Sequence, residues 1–202
     1  MSDLNRPAEI ERLVAALANE DRTQSPAQFP LDRAEAAHAG LYSWWADAHA
    51  LSSLGRLLGE ELQPLIYVGQ AGATRWPSGN KSAATLGSRI GGQHIRGNAR
   101  SSMFRLTISS LLREGLELDL EEGRLNSGSN GRISNWIAEH LRVAIVAFPD
   151  RDTLGVIEEG VVAAIDPPLN LDHCAPSLVR DQLRTLRAVI RANQTMPLGP
   201  TP

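Results

Sequence analysis

The sequence predicts a small α/β fold, with a three-stranded sheet wrapped by helices and an extra helix at each end. Three observations lead there. Two short apolar runs that read as strands, Gly40–Trp45 and Leu65–Gln70, come early and are joined by a local helix. A third, Val143–Phe148, arrives only after a helical stretch. Strands and helices therefore do not alternate as a doubly wound sheet requires.

The elements follow in order. Asn5 can cap a helix and Pro7 fits its first turn; Ile10, Leu13, Val14 and Leu17 then repeat at helical spacing to about Asn19. Residues 20–32 are polar and contain Pro, so they read as a loop. Between the first two strands, residues 51–62 place Leu54, Leu57 and Leu58 on one helix face, and Pro64 marks the start of the second strand. Gly, Pro, Ser and Asn make 72–80 a loop. A helix from about Ser82 carries Leu86, Arg89 and Ile90 and should stop at Gly91-Gly92. Another spans about 98–113, with Phe104, Ile108, Leu111 and Leu112 apolar. Residues 121–132 read as the most flexible stretch, after which Ser134 caps a helix to about His140. Asp152 opens the helix that carries Glu158 and ends before Pro167, and a last helix covers about Pro176–Ala192 ahead of a Pro-rich tail. There are no internal repeats.

At 202 residues and 42% hydrophobic, the chain can build one domain with a real core. One cysteine, Cys174, excludes an internal disulfide framework and fits a reducing cytoplasm. The first residues lack the apolar run of a signal peptide, and no stretch is long enough to span a membrane, so a soluble cytoplasmic protein is expected. Net charge is −3, yet between Leu62 and Arg113 there is no Asp or Glu and there are seven bases: Arg75, Lys81, Arg89, Arg96, Arg100, Arg105 and Arg113. The remaining 13 bases against 23 acids leave the rest of the chain at −10. Such a split predicts one electropositive surface suited to a polyanion, with Arg75, Lys81, Arg96 and Arg100 as nucleic-acid contacts.

Glu158 is the strongest single candidate for chemistry. At 3.6 residues per turn Leu154, Ile157, Val161 and Ile165 share a face, and Glu158 falls within that apolar arc while Glu159 falls on the far side. A carboxylate leaning into the core is costly unless it is ion-paired or holds a metal, and both readings stand at this point. A lone carboxylate suits Mg²⁺, which keeps most of its waters and takes further oxygens from phosphate. His38, His49, His140 and His173 show no metal-ligand spacing and read as structural.

Five short motifs occur in a telling order: Gly40-Leu41-Tyr42, Tyr67-Val68-Gly69, Arg89 in Leu86-Gly87-Ser88-Arg89-Ile90, Glu158, and Asn170 in Pro167-Pro168-Leu169-Asn170. Together they resemble the GIY-YIG nuclease superfamily over about residues 38–170. The resemblance implies a mainly antiparallel sheet and a one-metal cut of a phosphodiester. In that scheme Glu158 is the metal ligand and Arg89 braces the phosphate. Tyr42 and Tyr67 face the attacking water and the scissile phosphate, one of them, Tyr42 first, as general base. Asn170 orients groups nearby. His94 lies near the place where some members carry a histidine one turn after the arginine, but here the gap is one residue longer and includes Gly91-Gly92. Leu41 and Val68 replace isoleucine, the insertion between the tyrosine motifs is long, and the 72–80 loop precedes the arginine helix as in restriction-enzyme branches.

The expectation is therefore an endonuclease dependent on Mg²⁺, with Mn²⁺ able to substitute, that acts on DNA, most simply double-stranded, and leans toward a restriction-type role. Its organisation would be a helical extension over 1–37, a catalytic domain over 38–170 and a C-terminal helix with tail over 171–202. The alternatives are a nucleic-acid-binding module of the same fold with impaired catalysis, and an unrelated α/β interaction protein. Arg75 and Trp76 could read bases, although Trp76 could equally be packing.

Overall fold

A computed structural model describes residues 5–121 and 124–192. The central strand β1, Gly40–Ala46, is buried along nearly its whole length and carries no charge. It pairs antiparallel with β2, Leu65–Ala71, on one side and with β5, Leu141–Ala147, on the other, giving the order β2-β1-β5. The expected three-stranded antiparallel sheet is thus present. Tyr42 stands opposite Gly69 and Trp44 opposite Tyr67. Ser43, the polar residue at the strand's centre, is fully buried; its hydroxyl donates to the Leu17 carbonyl at 2.8 Å and accepts from Trp45 Nε1 at 3.0 Å.

Helices cover both faces. On one, Leu41, Val68 and Val146 pack with Leu13 and Leu17 of α1, Arg6–Leu17, and with Leu154, Ile157 and Val161 of α6, Arg151–Ile165. On the other, Trp44 stacks on Phe104 of α4, Met103–Leu111, with ring centroids 4.8 Å apart, and Tyr67 meets the same ring at 5.2 Å. Such aromatic pairs contribute roughly 0.5–1.5 kcal/mol each beyond the area they bury. A short helix α2, Arg33–Ala36, leads into β1. The helix α3, Ala48–Leu58, is capped by Asp47, whose Oδ1 accepts from Ala50 N–H at 2.7 Å, and it ends at Gly59 in the left-handed region, φ 69°. A second ribbon pairs β3, Leu120–Glu121, with β4, Arg124–Leu125. It is followed by α5, Ser127–His140, and the chain's last described element is α7, Leu178–Ala192. Among the described residues no helix is long and apolar enough to cross a membrane.

Two local expectations are corrected. Of the stretch read as flexible, 121–132, residues 122–123 lie outside the described residues, and the rest holds the first turns of α5, because Asn126 caps it by accepting from Ser129 N–H at 2.8 Å and buried Ser129 ties back to Asp119. Tertiary contacts override the weak helix propensity of Ser, Gly and Asn there. Nor does Gly91-Gly92 stop a helix: Ser88–Ile95 runs straight through as a π-helix, with Arg96 N–H donating to the Gly91 carbonyl five residues back.

Candidate active site

The two glycines beside the tyrosines are required by close approach. A Cβ on Gly69 would come within 2.5 Å of Tyr42 Oη, so the Tyr42 side chain lies directly over that position. A Cβ on Gly40 would strike the Val146 carbonyl of the neighbouring strand. Gly69 thus leaves room for Tyr42 to reach across β2, while Gly40 lets β1 lie close against β5.

Tyr42 Oη lies 2.7 Å from His94 Nε2, and His94 Nδ1 lies 2.7 Å from Ser102 Oγ, which also caps α4 by accepting from Arg105 N–H at 3.1 Å. The π-helix explains how His94 arrives here. Its wider turn absorbs the extra residue between Arg89 and His94, so both project from one side of the segment. Burial, then the charges of Arg89 and Arg105, push the imidazole's pKa down to about 3, so it is neutral. The chain Tyr42–His94–Ser102 has three hydrogens for two links. Oriented from Ser102 through His94, the left-over hydrogen is Tyr42's own, free to face the site. Burial chiefly raises the pKa of both Tyr42 and Tyr67, so both phenols are protonated as the protein stands.

Glu158 of α6 is largely buried, whereas its neighbour Glu159 is exposed, as the helical period predicts. Its carboxyl pKa is pushed up to about 7, first by burial, while Arg89 opposes the shift and Glu159 and Asp172 add to it. Among the described residues Glu158 has no ion pair within 4.0 Å. Arg89 donates to Gln93 Oε1 at 2.6 Å and leaves its buried Nε without a partner. A largely buried carboxyl without an ion pair and an under-used guanidinium thus sense each other across a gap.

Asn170 spends both ends of its amide on the backbone between the second tyrosine and its glycine. Oδ1 accepts from Val68 N–H at 2.9 Å and Nδ2 donates to the Val68 carbonyl at 2.8 Å. β2 is an edge strand, and this amide, together with Leu169 N–H on the Ile66 carbonyl at 3.0 Å, closes its open side. The group that Asn170 orients is therefore Tyr67's own strand.

Tyr67, Glu158 and Asn170 line one cavity of about 190 Å³, and Tyr42 and Arg89 lie within electrostatic reach of Glu158 behind it. Arg75, Lys81, Arg96 and Arg100 are exposed and lie outside the cavity. The loop carrying the first two is held in place: Arg151 donates to the carbonyls of Gly72, Ser82 and Ala84, and Trp76, 65% exposed, donates from Nε1 to the Asp152 carbonyl. Arg105 does not belong to a surface patch. It is fully buried and donates to the carbonyls of His94, Ile95 and Asn130 and to Ser134 Oγ. A larger cavity, about 550 Å³, lies between α3 and α5 around Trp136 and His140 and holds none of these residues.

Four polar residues lining the cavity were not singled out for chemistry from sequence: Thr107, Asp172, His173 and Arg187. For Arg187 a signal existed, because arginines at 180, 184, 187 and 191 recur at helical spacing along the last helix.

The family model for the GIY-YIG catalytic domain matches residues 40–189, which reaches from the first strand well into α7. No curated protein and no solved structure matches the chain. With the antiparallel sheet and the match over well over half its length, the chain belongs to the GIY-YIG family, whose domain is a nuclease domain acting on nucleic acid.

Proposed function

We propose that this protein is a divalent-metal-dependent endonuclease that hydrolyses DNA phosphodiester bonds, with double-stranded DNA its substrate. The observation that carries the proposal is Glu158: a carboxyl largely withdrawn from water, with no ion pair within 4.0 Å among the described residues, that shares a cavity with Tyr67 and lies within electrostatic reach of Arg89 and Tyr42. Its donor chemistry fits a hard cation. Among the described residues no three His, Cys, Asp or Glu side chains gather as a metal cluster, so Glu158 would offer one protein oxygen and leave the remaining positions to water and phosphate, as Mg²⁺ accepts and Mn²⁺ tolerates. When bound, the ion supplies positive charge that polarises a phosphate oxygen and acidifies water.

The chain's own residues do the rest. Arg89 holds a non-bridging oxygen and offsets the charge that develops on phosphorus. Tyr42 would act as general base only after its own phenol proton has left to solvent, a loss that the charge of a bound cation and of Arg89 would favour. His94 Nε2–H, with Ser102 on its other nitrogen, would stabilise that phenolate, and Oη then takes the proton from the attacking water and returns to the neutral phenol. Tyr67 presents its hydroxyl to the cavity from a strand that Asn170 keeps in register. Exposed Arg75, Lys81, Arg96 and Arg100 would contact flanking phosphates. The ordered 72–80 loop, with Trp76 exposed on it, is a candidate for reading bases and favours a restriction-type role.

Incubating supercoiled plasmid with the protein in Mg²⁺, in Mn²⁺ and in EDTA tests the proposal. Nicked or linear product in the two metals and none in EDTA is expected. Binding without any cleavage would replace it with a non-catalytic module of the same fold. Sequencing the ends cut from a plasmid library then separates discrete sites from none.

A further inference from the structure

Helix α7 carries two buried arginines that are treated in opposite ways. Arg180, 4% exposed, is saturated: it pairs with Asp166 Oδ1 at 2.8 Å and donates to the carbonyls of Pro167, Asn170 and Ala175. It anchors the loop that holds Asn170. Arg187, two turns on and 7% exposed, has almost nothing. Its Nε is buried without a partner, its one hydrogen bond is a weak one to Met103 Sδ at 3.5 Å, and among the described residues no carboxylate lies within 4.0 Å. Yet it lines the cavity that holds Tyr67 and Glu158.

A guanidinium withdrawn from water and left unpaired is unfavourable for folding, and a purely structural arginine would have acquired carbonyls or a carboxylate as Arg180 and Arg105 have. The surrounding charge does not relieve it either. Arg184 and Arg191 flank it on the same helix and disfavour its charge; Arg184 is paired with Asp181 at 2.8 Å, whereas Arg191 donates to the same Met103 sulfur at 3.2 Å. Asp172 acts in the other direction, and it is itself exposed. A guanidinium that lines a cavity wide enough for a phosphate group, and spends one donor only on a weak sulfur acceptor, is complementary to an oxyanion.

We propose that Arg187 is a second phosphate-binding residue of the site, which holds a non-bridging oxygen of the nucleic-acid backbone from helix α7, independently of Arg89. The inference rests on the nuclease reading above. It makes α7 part of the substrate surface, with Arg191 continuing the charge one turn beyond Arg187.

The test compares wild type with Arg187→Met, Arg187→Lys and, as a control, Arg12→Ala, which removes an exposed α1 arginine paired with Glu9. Three quantities are read: the Tm, the salt dependence of duplex-oligonucleotide affinity in EDTA, and plasmid cleavage in Mg²⁺. Arg187→Met should keep or raise the Tm, lower the slope of log K against log salt by about 1, and reduce cleavage by about 100-fold or more. Arg187→Lys should recover the salt slope and only part of the cleavage, because a point charge lacks the fork. The control should match wild type throughout. A lowered Tm with salt slope and cleavage unchanged in Arg187→Met would make the residue structural and overturn the proposal alone. Wild type that neither binds nor cuts any nucleic acid overturns the nuclease reading and takes this proposal with it.

Discussion

Asn170 and Val68 are joined by a closed pair of hydrogen bonds, one in each direction, from a side-chain amide to the backbone of an edge strand. Val68 sits between Tyr67 and Gly69, so this pair fixes the segment from which Tyr67 enters the cavity and over which Tyr42 lies. Asn170→Ala should leave both buried Val68 groups unpaired and cost about 2–4 kcal/mol in thermal or urea unfolding. Asn170→Asp should do no better, since its second oxygen opposes the Val68 carbonyl. Stability and cleavage should fall together, unlike the changes at the reacting groups.

Tyr42→Phe removes the hydroxyl and little else from a buried site, so the Tm should move by less than about 2 kcal/mol equivalent while cleavage falls by a factor on the order of 100 or more. His94, with its pKa near 3, should stay neutral across the working range. Its imidazole proton resonances should show no titration between pH 5 and 8. A midpoint near 6.5 would mean that the ring is exposed and that the Tyr42–His94–Ser102 chain is absent.

Glu158 predicts a stability change with pH whose sign follows from its environment. Its folded pKa of about 7 lies above the ordinary 4.5, so between those values the folded state holds more protons than the unfolded state. Stability should fall as pH rises from about 4.5 to 7 and level off above. Glu158→Gln removes that loss. At pH 8 without metal the variant should exceed wild type by on the order of 1–3 kcal/mol, a rise in Tm of roughly 2–12 °C, and the gap should close near pH 4.5. Equal Tm values at pH 8 would mean that the carboxyl is solvated or paired.

Arg105 and the exposed arginines should separate cleanly. Arg105→Met strips donors from the carbonyls of His94, Ile95 and Asn130 and should cost about 3 kcal/mol or more of stability. Arg96→Ala with Arg100→Ala should leave the Tm near wild type and reduce the slope of DNA affinity against salt by about 2. Equal loss of salt dependence from the Arg105 variant, still folded, would contradict its buried position.

Much of this was legible before any coordinates. The inward lean of Glu158 against Glu159 followed from the 3.6-residue period, because α6 lays one continuous apolar face on the sheet and the period is then obeyed. The strands were legible because β1 and β5 are buried on both faces and read as apolar runs. What stayed hidden depends on neighbours far along the chain. Arg105 reads as surface charge until α5 and the end of the π-helix supply its acceptors, and Arg187 reads as one of several helix arginines until α7 is seated on α4. Gly91-Gly92 is a stop signal by propensity, yet the wider π-turn that those glycines permit is what brings His94 to Tyr42.

The most direct measurement of the central claim is plasmid cleavage in Mg²⁺ by wild type, Glu158→Gln and Glu159→Gln side by side. The two substitutions are chemically identical and adjacent, so net charge and helix propensity cannot distinguish them; only burial and the facing site can. Glu158→Gln should lose cleavage by several orders of magnitude while binding DNA as tightly as wild type or more so, and Glu159→Gln should cut at close to the wild-type rate. Cleavage lost in Glu159→Gln and retained in Glu158→Gln, or retained in both, would contradict the site described here.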